Sequence, residues 1–223
     1  MYIHDNIYNT KGDEQVTTSY DQIYDTLLPK LAKCNLVESA ARLGLEVKVD
    51  GSIIIKFLKR DYHITHEGVV PVDGQPVNIN NRSILVYYIL SKGSGDSVYS
   101  FKPLFKMTGM YTSHNTERAS IMDAPLIREF GNDFKRLERS VIKLGGKSST
   151  SNADLSWILQ LLPKIPVKIL FYEEDDEFSA DIQIHFDQRA LDFLEFECLA
   201  FLSGCLVRAL IKTSQYGTVD GWK

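Results

Sequence analysis

The last third of this 223-residue chain limits its possible folds more than any other part. It contains a strand-like run at residues 166–172, five consecutive carboxylates at 173–177, an alternating run at 180–187 and an apolar run at 189–212. In the alternating run, Ile182, Ile184 and Phe186 fall on one side, which is typical of a strand with one buried and one wet face. The segment at 188–212 is apolar nearly all round and predicts a buried central helix.

The rest of the chain alternates between helical and strand-like patterns. Apolar spacing and turn residues predict helices at 20–33, 38–43, 81–91 (capped by Asn80), 125–130 and 133–144, and strands at 45–49, 52–58, 62–65, 69–71, 155–162, 167–172 and 180–186. Residues 93–120 are predicted to be irregular. The prediction is a single α+β domain at 16–223, after a flexible arm at 1–15. A mostly antiparallel sheet would join the N-terminal strands to the C-terminal hairpin, with the long helix packed on it. A polar connector at 147–152 leaves a boundary between two subdomains as the alternative.

Composition and charge exclude several classes of protein. A chain that is 44% hydrophobic and 24% charged is expected to fold, and a net charge of −4 argues against a nucleic-acid binder. No apolar run approaches the length of a membrane span and no signal peptide is visible, so a soluble cytoplasmic protein is expected. The three cysteines, Cys34, Cys198 and Cys205, form no CxxC pair, and inert buried thiols are expected rather than a metal site.

The first candidate site is the acidic loop together with the strand that follows it. Consecutive carboxylates repel one another, and a bound cation would relieve that repulsion. Asp176 and Glu177 could act with two residues on the wet face of the next strand, His185 and Asp187, although Asp187 could instead cap the helix that follows. The sharp-turn glycine and alternating ligands of a calcium loop are absent, and a solvated hairpin tip is the competing interpretation.

Two further groups of residues are candidates for binding. Glu195 and Glu197 lie inside the predicted apolar helix, where a carboxylate needs either an ion-pair partner or a raised pKa. Glu197 could then be a functional acid or base at a pocket wall. In the predicted loop at 100–105, Phe101 and Phe105 could line an apolar pocket with Tyr111, or they could cap the core.

The chain resembles a known family in several short motifs. In the C-terminal third these are Leu162 to Pro166, Asp175 to Phe178, Phe186 with Asp187, Phe193 with Leu194, and Glu197; weaker matches are Tyr87 to Leu90, Ser100 with Phe101, Gly145 with Gly146, and Asp154. On these residues the chain is similar to the domain of unknown function 3786 family, over roughly residues 20–210. Some members carry an additional four-cysteine iron–sulfur domain, and the resemblance here is to the stand-alone form. It implies a context in anaerobic metabolism, but no established activity.

Three kinds of function follow from the sequence. The first is an accessory module in anaerobic metabolism that binds a small molecule, a cofactor or a protein partner. The second is a carboxylate-based enzyme, with or without a divalent metal, that uses Asp176, Glu177, His185 and Asp187, with Glu197 as acid or base. The third is a structural or oligomeric protein, for example a homodimer. The sequence does not identify a cofactor.

Overall fold

The computed structural model describes residues 19–108, 115–131 and 133–217. Its helices are α1 Ser19–Ala32, α2 Leu36–Leu43, α3 Ile79–Leu90, α4 Leu104–Met107, α5 Asn115–Phe130, α6 Phe134–Lys143, α7 Ala190–Phe193 and α8 Phe196–Tyr216. Its strands are β1 Ile53–Phe57, β2 Arg60–Thr65, β3 Gly68–Pro71, β4 Phe101–Pro103, β5 Lys147–Ser148, β6 Leu155–Leu162, β7 Ile165–Tyr172 and β8 Asp181–Asp187. This is the predicted α+β fold. The predicted arm at 1–15 and the pocket residue Tyr111 lie outside the described residues.

The N-terminal strands form a small antiparallel sheet of their own, in the order β1-β2-β3. Leu58 and Lys59 join β1 to β2 and have positive φ angles of 49° and 69°, as a two-residue turn that follows the twist of the strands requires. The strand predicted at 45–49 is wrong, because that segment makes only an isolated bridge between Val47 and Ile53. Asn78, rather than the predicted Asn80, caps α3.

The C-terminal strands form a second antiparallel sheet, in the order β4-β8-β7-β6-β5. The prediction of one sheet shared by the meander and the hairpin is therefore wrong. The two sheets meet by packing, with β1 against β6, instead of by hydrogen bonding. One apolar cluster of buried side chains runs through both sheets and the helices around them. The alternation of apolar and polar residues predicts which side chains face a core, but it does not predict which strands pair. For this reason the two sheets were predicted as one.

The long C-terminal helix is interrupted near its start. Leu194 is extended (φ −139°, ψ 140°) and separates α7 from α8, and Glu195 is the N-cap residue of α8. The prediction of one continuous helix is therefore wrong at this point. The break brings Glu195 and Glu197 to the N-terminus of α8, where the helix dipole favours carboxylates. The buried face of α8 packs on α5 and α6.

The region predicted as irregular contains regular structure. β4 and α4 lie within it, and α5 begins at Asn115 and carries Pro125 in its interior. A proline is common at the first position of a helix, which is why the sequence predicted a helix starting at Pro125. The 147–152 connector also begins as a strand, because β5 pairs with β6. Within the described residues, no helix has the length and apolar character needed to span a membrane.

Candidate functional site

The outer face of β8 carries four polar side chains in alternation. Ile182, Ile184 and Phe186 are buried on the opposite face, which confirms the predicted period of two. The register puts His185 between Lys168 of β7 and Pro103 of β4. This outer face is not simply wet: His185 is partly buried, and Asp187 is completely buried.

Asp181, Gln183 and His185 form a hydrogen-bonded chain along this face. The Gln183 amide nitrogen donates to Asp181 Oδ2 at 2.7 Å, and Gln183 Oε1 lies 2.9 Å from His185 Nε2. Because the amide oxygen can only accept, His185 Nε2 must carry the hydrogen. In the neutral ring, Nδ1 then presents a lone pair. No residue in the described part of the chain donates a hydrogen bond to it.

The His185 ring is neutral at physiological pH. Burial lowers its pKa to about 4, and the positive charges of Lys106 and Lys168 add to this effect, while the Asp181 carboxylate opposes it. A neutral, orientationally fixed imidazole between two cations is an unusual local arrangement. It gives this end of β8 both positive charge and one acceptor that has no donor among the described residues.

The two lysines contact aromatic rings instead of carboxylates. Lys168 Nζ donates to the Thr150 carbonyl at 2.6 Å and lies 5.8 Å from the centre of the Phe101 ring. Lys106 Nζ lies 5.9 Å from the centre of the Phe105 ring. Among the described residues, neither lysine forms an ion pair. Within the described residues, no carboxylate forms an ion pair that neutralises these two charges.

A depression of about 230 Å³ adjoins this group of residues. Thr150, whose carbonyl binds Lys168, is one of its lining residues, and serine side chains make up much of the rest, namely Ser148, Ser149, Ser151 and Ser156. Two carboxylates, Glu138 and Asp154, also line the depression, whereas Lys106, Lys168 and His185 do not, so the depression is not the space between the two lysines.

Asp123 of α5 lies beside the middle of the same strand, at Ile184, the residue before His185 in the chain. β4 ends opposite His185, so the edge of β8 beyond that point has no strand partner, and the Ile184 N–H donates to the Asp123 carboxylate. Burial raises the pKa of Asp123 to about 7, and the nearby Asp181 carboxylate contributes. Asp123 was not among the predicted site residues, because no motif marks this position and the helix was predicted to begin two residues later.

Asp187 is a buried carboxylate at the end of β8. Its Oδ1 accepts hydrogen bonds from the N–H groups of Val98 (3.4 Å) and Arg189 (3.0 Å), and its Oδ2 is buried without a partner in the described part of the chain. Arg189, not Asp187, is the N-cap residue of α7, so the predicted capping role of Asp187 is wrong; its side chain instead holds the N–H of the residue before that helix. Phe101 pairs with Asp187 across the two strands, so these two candidate residues are neighbours.

The acidic loop lies away from this group of residues. All five of its carboxylates are exposed, and Asp175 organises the loop by accepting from the N–H groups of Glu177 (2.8 Å) and Phe178 (2.7 Å). His185 lies four residues along β8 from Asp181, roughly 13 Å at the rise of a strand. The structure therefore does not bring Asp176 and Glu177 together with His185. In the described part of the chain, no three histidine, cysteine, aspartate or glutamate side chains are arranged to hold a metal ion.

Of the remaining candidate residues, Phe101 and Phe105 lie beside the lysines, whereas Glu197 does not belong to this site. Glu195 and Glu197 are exposed at the start of α8, so neither is the buried carboxylate that the helical pattern predicted. Four of the seven predicted residues thus lie around β4, α4 and β8, namely His185, Asp187, Phe101 and Phe105.

A second polar contact involves residues of the N-terminal sheet. Ser52 donates its hydroxyl hydrogen to Asp50, and His63 Nε2 contacts the Ser52 oxygen. In a nucleophilic triad the histidine accepts the serine hydrogen. Here that hydrogen is directed to Asp50 and Ser52 is buried, so this contact is a structural link between β1 and β2.

Comparison with known proteins gives one match. No curated protein and no solved structure matches the chain. A family model described as Domain of unknown function (DUF3786) matches residues 35–209, and the chain therefore belongs to that family.

Proposed function

We propose that the protein is a binding module for a small oxyanion, which it holds at the Lys106, Lys168 and His185 end of β8. The observation that carries this proposal is the pair of lysines without a carboxylate partner in the described residues, on either side of a neutral imidazole. An oxyanion would neutralise both cations, and charge-assisted hydrogen bonds from ammonium groups are among the stronger polar contacts.

Two structural features support an oxyanion over a cation or an apolar ligand. The lysines come from different elements, α4 and β7, so they can approach one ligand from two directions. The Phe101 and Phe105 rings lie against the ammonium groups and restrict their positions.

The family resemblance suggests the setting of this activity. An oxyanion-binding module of this family would be an accessory protein in anaerobic metabolism, and it would present its ligand to an enzyme or a protein partner. A homodimer is compatible with this role.

Titration calorimetry with inorganic phosphate at low ionic strength tests the proposal. We expect the wild-type protein to bind phosphate, and Lys168→Met to weaken binding by at least about tenfold. Lys106→Met should have a smaller effect, because Lys106 is more exposed. The matched control is Lys102→Met, since Lys102 is an exposed lysine of β4 that pairs with Phe186 and faces away from His185. Equal binding by all four proteins, or none by the wild type, would contradict the proposal.

The carboxylate-based enzyme is the second candidate, and Asp123 is the observation that favours it. A carboxyl group that keeps its proton near neutral pH is suited to general acid catalysis. In this version the acid is Asp123 instead of Asp176, Glu177 or Glu197. Hydrolysis of activated phosphate and carboxylate esters should then decline as the pH rises through about 7, and Asp123→Asn should abolish it while phosphate binding persists. Activity that Asp123→Asn leaves unchanged would exclude this role.

A further inference from the structure

The orientation of His185 restricts which oxyanions can bind. Its Nε2–H is committed to Gln183, whose own amide nitrogen is committed to Asp181. The nitrogen that remains, Nδ1, can therefore only accept a hydrogen bond while the ring is neutral. An anion that carries only acceptors would meet this lone pair with one of its own, which is repulsive.

We infer that the ligand is an oxyanion that also carries a hydroxyl hydrogen, such as a hydrogen phosphate or a 2-hydroxycarboxylate, with its negative oxygens on Lys106 and Lys168 and its hydroxyl donating to His185 Nδ1. This inference rests on the proposed function and specifies its ligand class. The lysines supply affinity for any anion, and His185 supplies the selection among anions.

Protonation of His185 would remove this selectivity, since both ring nitrogens would then donate. Two positive charges and partial burial oppose that protonation. The Asp181 carboxylate lies on the far side of Gln183, and the hydrogen-bonded chain fixes the tautomer from that direction. Gln183 is therefore a positioning residue, because it acts on the ligand only through the ring of His185.

Two matched pairs of anions test the inference at neutral pH. Phosphate and sulfate have nearly the same size and shape, but only hydrogen phosphate keeps an O–H. Lactate and propionate differ in one hydroxyl group. A site that hydrogen-bonds a ligand hydroxyl discriminates strongly against the analogue that lacks it, and we expect at least about a tenfold preference for the hydroxyl-bearing member. A preference within the phosphate pair identifies a phosphate ligand, and a preference within the lactate pair identifies a hydroxycarboxylate.

Two variants separate selectivity from affinity. His185→Phe removes the acceptor, and we expect the ratio of the two affinities in each pair to fall to about one, while Lys106 and Lys168 continue to bind anions. Gln183→Leu leaves the imidazole in place but releases its tautomer, and we expect a similar loss of selectivity. Nitrogen NMR of labelled histidine reads the tautomer of His185 directly, so the two variants can be compared even if one is less stable.

The outcomes distinguish this inference from the proposed function. Equal affinities within both pairs would overturn the inference and leave oxyanion binding intact. Selectivity that survives in His185→Phe would also overturn it, because another residue would then be the acceptor. No binding of any of the four anions would overturn the proposed function, and the inference with it.

Discussion

The acidic loop at 173–177 and the outer face of β8 are adjacent in the chain but opposite in character. The loop has five carboxylates in a row, and all are exposed. The face of β8 has fewer ionisable groups, with polar and apolar residues in alternation. Nevertheless His185 on this strand and Asp123 beside it have strongly shifted pKa values, whereas the conspicuous loop is a solvated turn held by Asp175.

The difference shows that burial determines reactivity more than the density of charge does. Water screens neighbouring charges at an exposed tip, so like charges there interact weakly. A single carboxyl or imidazole that is removed from water pays a desolvation cost, and its proton equilibrium moves. β4 pairs with one end of β8 and α5 packs against the strand, and His185 is partly and Asp187 completely buried there, which is why ordinary residues acquire unusual properties on the face that was predicted to be wet.

The largest expected difference between the two regions is in stability. Asp187→Ala should lower the free energy of unfolding by about 2–4 kcal/mol, because the Val98 and Arg189 N–H groups lose their shared acceptor. Asp176→Ala in the loop should change it by less than about 0.5 kcal/mol. Urea denaturation of both variants measures the difference. Asp187→Asn is the control, since it keeps one acceptor oxygen and should lose less than half as much. Similar values for Asp187→Ala and Asp176→Ala would refute the comparison.

The second prediction concerns the dependence of stability on pH at Asp123. Its folded pKa of about 7 lies above the ordinary value of 3.8, so the stability that its proton provides is complete below 3.8 and is lost as the pH rises to about 7. Asp123→Asn should therefore be about 1–2 kcal/mol more stable than the wild type at pH 8, with the difference vanishing at acidic pH. Denaturation of both proteins across that range measures it. A constant difference at all pH values would mean that Asp123 is ionised as usual.

The third prediction has the opposite sign and concerns His185. The pKa of His185 in the folded protein, about 4, lies below the ordinary value of 6.5. In the pH window between these two values, the unfolded chain therefore binds a proton that the folded protein does not. The wild type should lose about 1–2 kcal/mol of stability as the pH falls through the window, after allowance for partial exposure. His185→Gln should show a shallower slope. An NMR titration of His185 with an ordinary midpoint would contradict this prediction.

Much of the fold could be predicted from the sequence, because its evidence is local. The alternation in β8 and the apolar runs of β6 and β7 predicted strands that the structure contains, since these signals depend only on neighbours in the chain. Strand pairing between distant segments depends on the whole fold, and so the two sheets were predicted as one. The break at Leu194 was missed for a related reason: apolar residues on both sides of it continue the helical pattern.

The candidate site was predicted in part. His185, Asp187, Phe101 and Phe105 come together in the structure, although Phe101 and Phe105 are 80 residues or more from the others along the chain. Asp123, Lys106 and Lys168 were not identified, because a lone charged residue carries no signal until the register puts a particular partner opposite it. Asp176, Glu177 and Glu197 were predicted as site residues because their local sequence is unusual, but in the structure all three side chains are exposed to solvent.

The smallest expected effect concerns the acidic loop. Replacing Glu173, Glu174, Asp176 and Glu177 together by their amides keeps Asp175, which makes the two hydrogen bonds of the turn. We expect a change in unfolding free energy below about 0.5 kcal/mol, slightly stabilising at low salt because repulsion is removed. Calcium should raise the melting temperature of neither protein, since the loop lacks converging ligands. Asp175→Ala is the matched comparison and should cost about 0.5–1.5 kcal/mol through the lost turn. If calcium stabilises the wild type but not the amide variant, the acidic loop is a binding site after all. A high density of charge would then indicate a functional site in this protein as well as burial does.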